Sequence, residues 1–263
     1  MKFEFKINKY YLVGYTMASK NKPFSAWEKL EEKIWQKYKD EPAYYFLNPK
    51  YISTALEQIQ TEFSEDNIKN TFIKHSSILE KIYREIFQTK EFKKLYKETL
   101  KYLLATEKQW EKNEKIVLEL LQTISGLSIP KNEITVYITH PKSCNGKLIE
   151  KNIIAWGHKE DWKNYATVYL CHELLHIMTW PGHFEPQYNI LHALISLTAE
   201  NELRIRLNKR GKYFKEGKFY VVAPETILLK KRILPYWKKY LLGKLGKNIL
   251  ELKDFLKKSK IKI

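Results

Sequence analysis

The sequence has few cysteines and no long apolar run. Only two of its 263 residues are cysteine, Cys144 and Cys171, which excludes a disulfide framework and favours a reducing environment. No apolar run reaches the ~18 residues that span a bilayer, so we expect no transmembrane segment. A signal-type apolar stretch is also missing near the N-terminus, where Glu4 and Lys6 interrupt the sequence. We therefore expect a cytoplasmic protein.

Acidic residues and arginine are scarce relative to lysine. The formal net charge is +17, and only five of the 47 basic residues are arginine. The segment from Lys209 to Ile263 carries 17 basic and 4 acidic residues. This excess has two readings: the lysine usage of an AT-rich genome, or a C-terminus that attracts an anionic partner. No nucleic-acid-binding motif accompanies the charge, and lysine without interleaved arginine is a weak phosphate-binding signal.

Glycine and proline are also few, and they cluster after residue 125. The first half of the chain has apolar residues at helical spacing, which predicts helices over Ser25–Tyr38, from Ser53 or Thr54 onward, and through most of Asn67–Thr123. Gly126 is predicted to end the last of these helices. We read residues 1–128 as a helical N-terminal region.

The pattern changes after Pro130. Alternation predicts a strand over Ile134–Thr139, and His140-Pro141 together with Asn145-Gly146 indicates a turn. The remaining elements are a strand at Ile153–Trp156 and helices at Tyr165–Thr179, Tyr188–Asn208, Leu228–Leu242 and Asn248–Lys258. The expected fold is α+β and mostly helical, with a catalytic core at residues 129–225 and a basic helical segment at residues 226–263.

The candidate chemistry lies in the Tyr165–Thr179 helix, which contains the motif His172-Glu173-Leu174-Leu175-His176. Two histidines four residues apart project from one face of a helix, so both imidazoles can reach one Zn²⁺. Zinc lowers the pKa of a bound water toward ~7, and Glu173 is positioned to take the proton from that water. Polar residues in so apolar a helix need partners, which favours a metal site over two core histidines.

A catalytic zinc needs a third protein ligand, and three residues compete for that place. His183 follows His176 by seven residues, which does not match the six-residue spacing of the metzincin motif. Glu200 and Glu202 lie on the next predicted helix. At roughly 100° per residue, Glu202 falls nearer the apolar face of that helix than Glu200 does. We therefore expect Glu202 to be the third ligand.

Four other residues near the motif have predicted roles. Asn201 and Arg204 are candidates to orient the ligands by hydrogen bonds. His158, just after the Ile153–Trp156 strand, is the first choice for a donor that stabilises the transition state. His192 is expected to lie too far along its helix to touch the zinc.

Together these residues resemble the gluzincin branch of the zincin metallopeptidases, the group that includes thermolysin-like enzymes. The resemblance covers roughly residues 134–208 and rests on His172, Glu173, His176 and the Asn201-Glu202 pair. It implies that Ile153–Trp156 is the edge strand that lines the cleft and pairs with an extended substrate. Arg206 stands four residues after Glu202, where the family has an aspartate.

The sequence therefore predicts a zinc metallopeptidase with one Zn²⁺ per chain and a peptide or protein substrate. His172, His176 and Glu202 would hold the metal, and Glu173 would be the general base. Two alternatives stay open. One is a non-catalytic, regulatory or binding protein that contains zinc. The other is a nucleic-acid or anionic-surface binder that uses the lysine-rich C-terminus.

Overall fold

The structure, a computed structural model, describes residues 1–41, 44, 47, 78, 80–180, 188–214 and 224–259. Helices dominate this part of the chain and surround one small sheet, so the predicted α+β, mostly helical fold is confirmed. The elements in chain order are β1 (Lys2–Lys6), α1 (Lys9–Ala18), α2 (Ser25–Tyr38), α3 (Lys90–Ser125), β2 (Glu133–Ile138), β3 (Cys144–Glu150), β4 (Ile153–Gly157), α4 (Tyr165–Met178), α5 (Tyr188–Ser196), a π-helical segment (Leu197–Leu203), α6 (Arg204–Asn208), α7 (Pro224–Leu241) and α8 (Ile249–Lys258).

The sheet has the strand order β1-β2-β4-β3. β1 and β4 both run parallel to β2, and β3 runs antiparallel to β4. Strand β1 was not predicted, because only five residues alternate before the helical pattern begins. Through β1 the first residues of the chain join the same sheet as β2, with Phe3 opposite Ile134.

Strand β3 changes two of the sequence predictions. The predicted turn lies at His140-Pro141, where the Ser143 amide donates to the His140 carbonyl at 2.8 Å. The Asn145-Gly146 pair lies inside β3, so the turn predicted at that pair is wrong. Among the described strands β3 is the outer one on its side, and Ile153–Trp156 lies inside the sheet between β2 and β3. The expectation that Ile153–Trp156 is the edge strand is therefore wrong.

Helix α3 links two apolar cores. Phe92 and Leu95 pack with the N-terminal helices, whereas Trp110 and Leu121 pack with the sheet, α4 and the C-terminal helices. The helix ends at Gly126, whose φ of +66° suits glycine. A Cβ there would also lie 2.1 Å from the Lys247 carbonyl oxygen. The helix predicted from Ser53 or Thr54 lies outside the described residues.

Helix α4 lies at the centre of the larger core. Twelve of its 14 residues are buried, because β3 covers one side and α3, α5 and the π-helical segment cover the others. Helices α7 and α8 pack against α5 and complete this core. Among the described residues, no helix has both the length and the apolar character that crossing a membrane requires.

Candidate metal centre

Helix α4 places the motif histidines in the protein interior. His172 and His176 are each 5% exposed, and their Nε2 atoms lie 3.0 Å apart. The start of the helix is fixed by Glu160, whose carboxylate accepts the Tyr165 and Ala166 amides, each at 3.0 Å. This carboxylate meets the positive end of the helix dipole and satisfies two amides that the helix leaves unpaired.

A third imidazole reaches the pair from α5. The His192 ring lies 5.4 Å from the rings of both His172 and His176, measured between centroids, and it stacks on His176 at an interplanar angle of 16°. One nitrogen from each of the three rings lies within 4.8 Å of the others. The expectation that His192 is too distant is therefore wrong: where α5 crosses α4, residue 192 faces the motif.

The donor set of this cluster fits a transition metal. Imidazole nitrogen is a preferred ligand of zinc, and tetrahedral bonds of 2.0–2.1 Å would place such nitrogens about 3.3 Å apart. The Nε2 atoms of His172 and His176 lie 3.0 Å apart, close to this value, and one nitrogen of His192 lies within 4.8 Å of both rings' candidate ligand atoms. His172, His176 and His192 can therefore hold one metal ion and leave a fourth position to a water or a substrate.

Glu200 approaches the cluster from the π-helical segment. Its Oε1 lies 3.0 Å from Nδ1 of His172, and it also accepts a hydrogen bond from Ser196 Oγ at 3.3 Å. Its Oε2 lies 3.6 Å from Nζ of Lys230, a lysine of α7 that is 0% exposed. A carboxylate beside Nδ1 favours a proton on that atom, so Nε2 of His172, which lies 3.0 Å from Nε2 of His176, would be the atom that binds a metal ion.

Neighbouring charges determine the direction in which the pKa values of Glu200 and His172 shift. Burial alone would raise the pKa of Glu200, but the bond to His172 and the positive charges of His172, Lys230 and His192 lower it to about 2. Burial opposes a charged imidazole, yet the Glu200 carboxylate 3.0 Å away raises the pKa of His172 above its ordinary value. Glu200 is therefore a carboxylate that orients His172.

The structure does not bring Glu202 to the histidines. Its Oε1 accepts a hydrogen bond from Arg206 Nε at 2.7 Å, and its Oε2 accepts one from the Tyr213 hydroxyl. The cluster of possible ligands found among the described residues contains His192 and not Glu202.

The physical reason for this difference is the π-helical segment, Leu197–Leu203. Its hydrogen bonds run i→i+5, so each residue turns the chain through a smaller angle than in an α-helix. A helical wheel drawn at a uniform 100° per residue therefore assigns residues of this segment to the wrong face. Glu200, and not Glu202, comes to face His172.

Asn201 and Arg204 hold the backbone of the π-helical segment. Asn201 donates to the Ser196 carbonyl at 3.3 Å and accepts from the Phe214 amide at 2.8 Å. Arg204 donates to the Glu200 carbonyl at 2.6 Å and to the Lys212 carbonyl at 2.7 Å. These two residues act on the backbone around Glu200, whereas the sequence predicted that they orient the ligands directly.

The motif glutamate, Glu173, lies beneath β3. It is 7% exposed, and the Leu148 amide donates to its carboxylate. Burial raises its pKa, and the positive charge of His172 and the Leu148 bond only partly oppose this. Gly146 leaves room for the carboxylate: a Cβ at residue 146 would lie 3.2 Å from Oε1 of Glu173 and 3.0 Å from the Trp156 ring.

His158 lies outside the histidine cluster. Its ring stacks on Tyr165 with 4.8 Å between centroids, and its Nδ1 lies 2.6 Å from the Lys159 carbonyl oxygen. Tyr165 and Tyr169 continue the motif face toward the start of α4, and the Tyr169 ring lies 6.2 Å from the ring of His172. His158 is thus separated from the cluster by aromatic side chains, and its role as a donor stays a prediction.

His183 lies outside the described residues. Cys171 is fully buried, and burial raises the pKa of its thiol, as expected for a small core residue. The sequence reasoning rejected His192 as a ligand, and it missed Lys230 and Glu160. The signal for His192 was present, since an apolar helix such as α5 rarely carries a histidine without a partner.

Comparisons with protein-family models, with curated proteins and with solved structures found no match for this chain.

Proposed function

We propose that the protein hydrolyses peptide bonds with one zinc ion held by His172, His176 and His192. The observation that carries the proposal is the convergence of these three imidazoles beside a buried glutamate that directly follows the first of them. This ligand set replaces Glu202 of the sequence prediction by His192 and keeps Glu173 as the general base.

The chemistry divides between the metal and the side chains around it. A zinc ion in such a site polarises a carbonyl group and makes a water molecule more acidic. Glu173 accepts a proton from the attacking water and later delivers it to the leaving nitrogen, so that one water is consumed for each bond cleaved. Glu200 keeps the His172 ring in the orientation that this site needs.

The edge of the sheet offers a place for the substrate. The gluzincin resemblance implies strand addition, and among the described strands β3 has the outer position that such pairing requires. Since β3 also covers Glu173, a peptide paired with β3 would pass close to the base. Gly146 contributes by keeping a side chain out of this space.

One observation favours a second candidate, a metal-containing regulatory or binding protein without hydrolytic activity. Glu173 is 7% exposed and is engaged by the Leu148 amide, so the proposed base has little access to water in this conformation. In that case the metal would be bound, but Glu173 would only pack beneath β3.

The test measures zinc per chain and cleavage of a peptide library on the same samples. The variants are His192→Ala, Glu202→Gln and Glu173→Gln beside the wild type. We expect one zinc per chain in the wild type, in Glu202→Gln and in Glu173→Gln, and loss of zinc in His192→Ala. Cleavage should be abolished by a chelator and by Glu173→Gln.

The outcomes separate the alternatives. Zinc that survives His192→Ala but is lost in Glu202→Gln would restore the original ligand set. Zinc in the wild type without cleavage of any peptide would favour the non-catalytic protein. A wild type that binds no zinc after remetallation would contradict the proposal.

A further inference from the structure

The basic residues of the C-terminal segment differ in their setting from those of helices α2 and α3. Residues 226–250 contain seven basic residues and no acidic residue. By contrast, α2 has three lysines and three glutamates, and α3 has eight lysines and six glutamates. Lysine-rich codon usage would enrich all three segments alike, so it does not explain why acidic residues are missing from only one of them.

Helix α7 separates its apolar and basic residues onto opposite sides. The inner side is buried in the larger core and consists of Leu229, Ile233, Trp237 and Tyr240. The outer side is exposed and follows the i, i+3, i+4, i+7 spacing of one helix face. We call these residues the basic face: Leu228, Lys231, Arg232, Pro235, Lys238, Lys239 and Leu242.

The two ends of the basic face are apolar. Leu228 is 56% exposed and Leu242 is 70% exposed, and they are among the most exposed large apolar residues of the described chain. Leu242 directly follows the last residue of α7, so at 1.5 Å per residue the two leucines lie roughly 21 Å apart along the helix direction. Next to this face, the 39% exposed ring of Phe255 from α8 contacts the ring of Tyr236.

We propose that the basic face is a docking surface for a bilayer that contains anionic lipid. Lysines with exposed leucine and aromatic side chains beside them match a membrane interface, where cations meet the headgroups and apolar tips enter the boundary of the acyl chains. A nucleic-acid backbone would use the cations but would give the two leucines no apolar environment. The proposal is independent of the metal site.

The expected binding is peripheral and electrostatic. Each lysine or arginine near an anionic surface contributes about 1 kcal/mol. The apolar side of α7 is already buried in the core, so the helix cannot insert as a free amphipathic helix does. Binding should therefore weaken steeply as salt shortens the Debye length from about 10 Å at 0.1 M to about 3 Å at 1 M.

The test is sedimentation of the full-length protein with vesicles of phosphatidylcholine containing ~30% phosphatidylserine, beside vesicles of phosphatidylcholine alone. We expect binding to the anionic vesicles only. Replacing two cations, Lys231→Gln with Lys238→Gln, should lower the partition coefficient roughly 30-fold. Leu228→Ser with Leu242→Ser should also lower it.

The matched control is Lys97→Gln with Lys101→Gln. It removes the same charge from two exposed lysines of α3, where glutamates are interspersed, and should leave binding unchanged. Equal loss in both pairs would show a response to net charge and contradict the proposal. A wild type that binds a duplex or single-stranded oligonucleotide but not the anionic vesicles would also contradict the proposal.

Discussion

At the scale of single residues, the metal centre depends on charges that are buried together. Glu200 is 3% exposed, and its carboxylate lies between His172 and Lys230. A buried carboxylate that loses a cationic partner is strongly destabilising. A divalent ion at the histidines and the ammonium group of Lys230 therefore both compensate the same negative charge.

This leads to a prediction for Lys230→Met, which removes the charge and keeps most of the volume. We expect the metal-free protein to lose about 3–5 kcal/mol of unfolding free energy. Zinc should then raise the Tm of the variant more than it raises the Tm of the wild type, because the ion supplies part of the missing charge.

Thermal unfolding with and without zinc measures this difference. Lys231→Met is the control, since Lys231 is exposed on the basic face, and it should leave both Tm values unchanged. An equal zinc-induced shift in wild type and Lys230→Met would contradict the coupling.

A second residue-scale prediction concerns Gly146, which has a φ of +106°. Gly146→Ala strains the backbone and pushes a methyl group against Glu173 and Trp156. We expect zinc content to be retained and peptide cleavage to fall at least tenfold, because the base is displaced and the metal ligands are not.

The matched control for this variant is Gly243→Ala. Gly243 also has a positive φ, +70°, but a Cβ there meets no atom within 4 Å. It should cost stability without affecting cleavage. Full cleavage by Gly146→Ala would show that β3 does not constrain Glu173.

At the scale of elements, irregular pieces of secondary structure position the site. The π-helical segment brings Glu200 to His172, and it persists because Asn201 and Arg204 bond its backbone groups. Bulges of this kind occur frequently at functional sites. The pairing of β3 with β4 is also irregular, because its register shifts along the strands. This irregular strand lies over Glu173.

The turn after β2 contains His140, which makes the unfolding free energy depend on pH. His140 is 3% exposed, and burial lowers its pKa, while the bond from its ring to Glu98 only partly opposes this. The unfolded chain therefore binds a proton at this residue at a higher pH than the folded protein does. The stability linked to His140 is complete above its unfolded pKa, about 6.5, and is lost as the pH falls through the lower, folded value.

Denaturant unfolding between pH 7.5 and 5 tests this linkage. The unfolding free energy of His140→Gln should fall less over this range than that of the wild type, because the substituted residue cannot take up a proton. Parallel curves for the two proteins would contradict the assignment of the pH dependence to His140.

At the scale of the whole molecule, α3 makes the two apolar cores depend on each other. Its 36 residues contribute to both of them. A helix of this length is stabilised mainly by the packing of its apolar face. Loss of one core should therefore weaken the other.

The prediction is a single unfolding transition that far-UV circular dichroism and tryptophan fluorescence report alike. Leu121→Ala, in the larger core, should lower the unfolding free energy by about 2–5 kcal/mol and shift both signals together. Leu104→Ala is the control, since Leu104 is 57% exposed on the same helix. Separate transitions in the two signals would show that the cores unfold independently.

The sequence by itself determined the local features of this protein. Apolar spacing located α2, α4, α7, α8 and the C-terminal end of α3 to within a few residues, because each of these helices buries one face or, for α4, nearly all of its surface. The motif placed His172 and His176 on one helix face, because residues four apart share a face in any α-helix. Glu173 followed from the same local geometry.

Only the tertiary structure decided what meets these residues. The crossing of α4 and α5 brings His192 to the motif, and the packing of α7 brings Lys230 to Glu200 from 30 residues away in the chain. The pairing of β3 outside β4 moved the sheet edge away from Ile153–Trp156. Packing between elements decides which residues distant in the chain become neighbours, and it also sets the direction of side chains in a π-helical turn. The periodicity of a single segment carries no information about such packing.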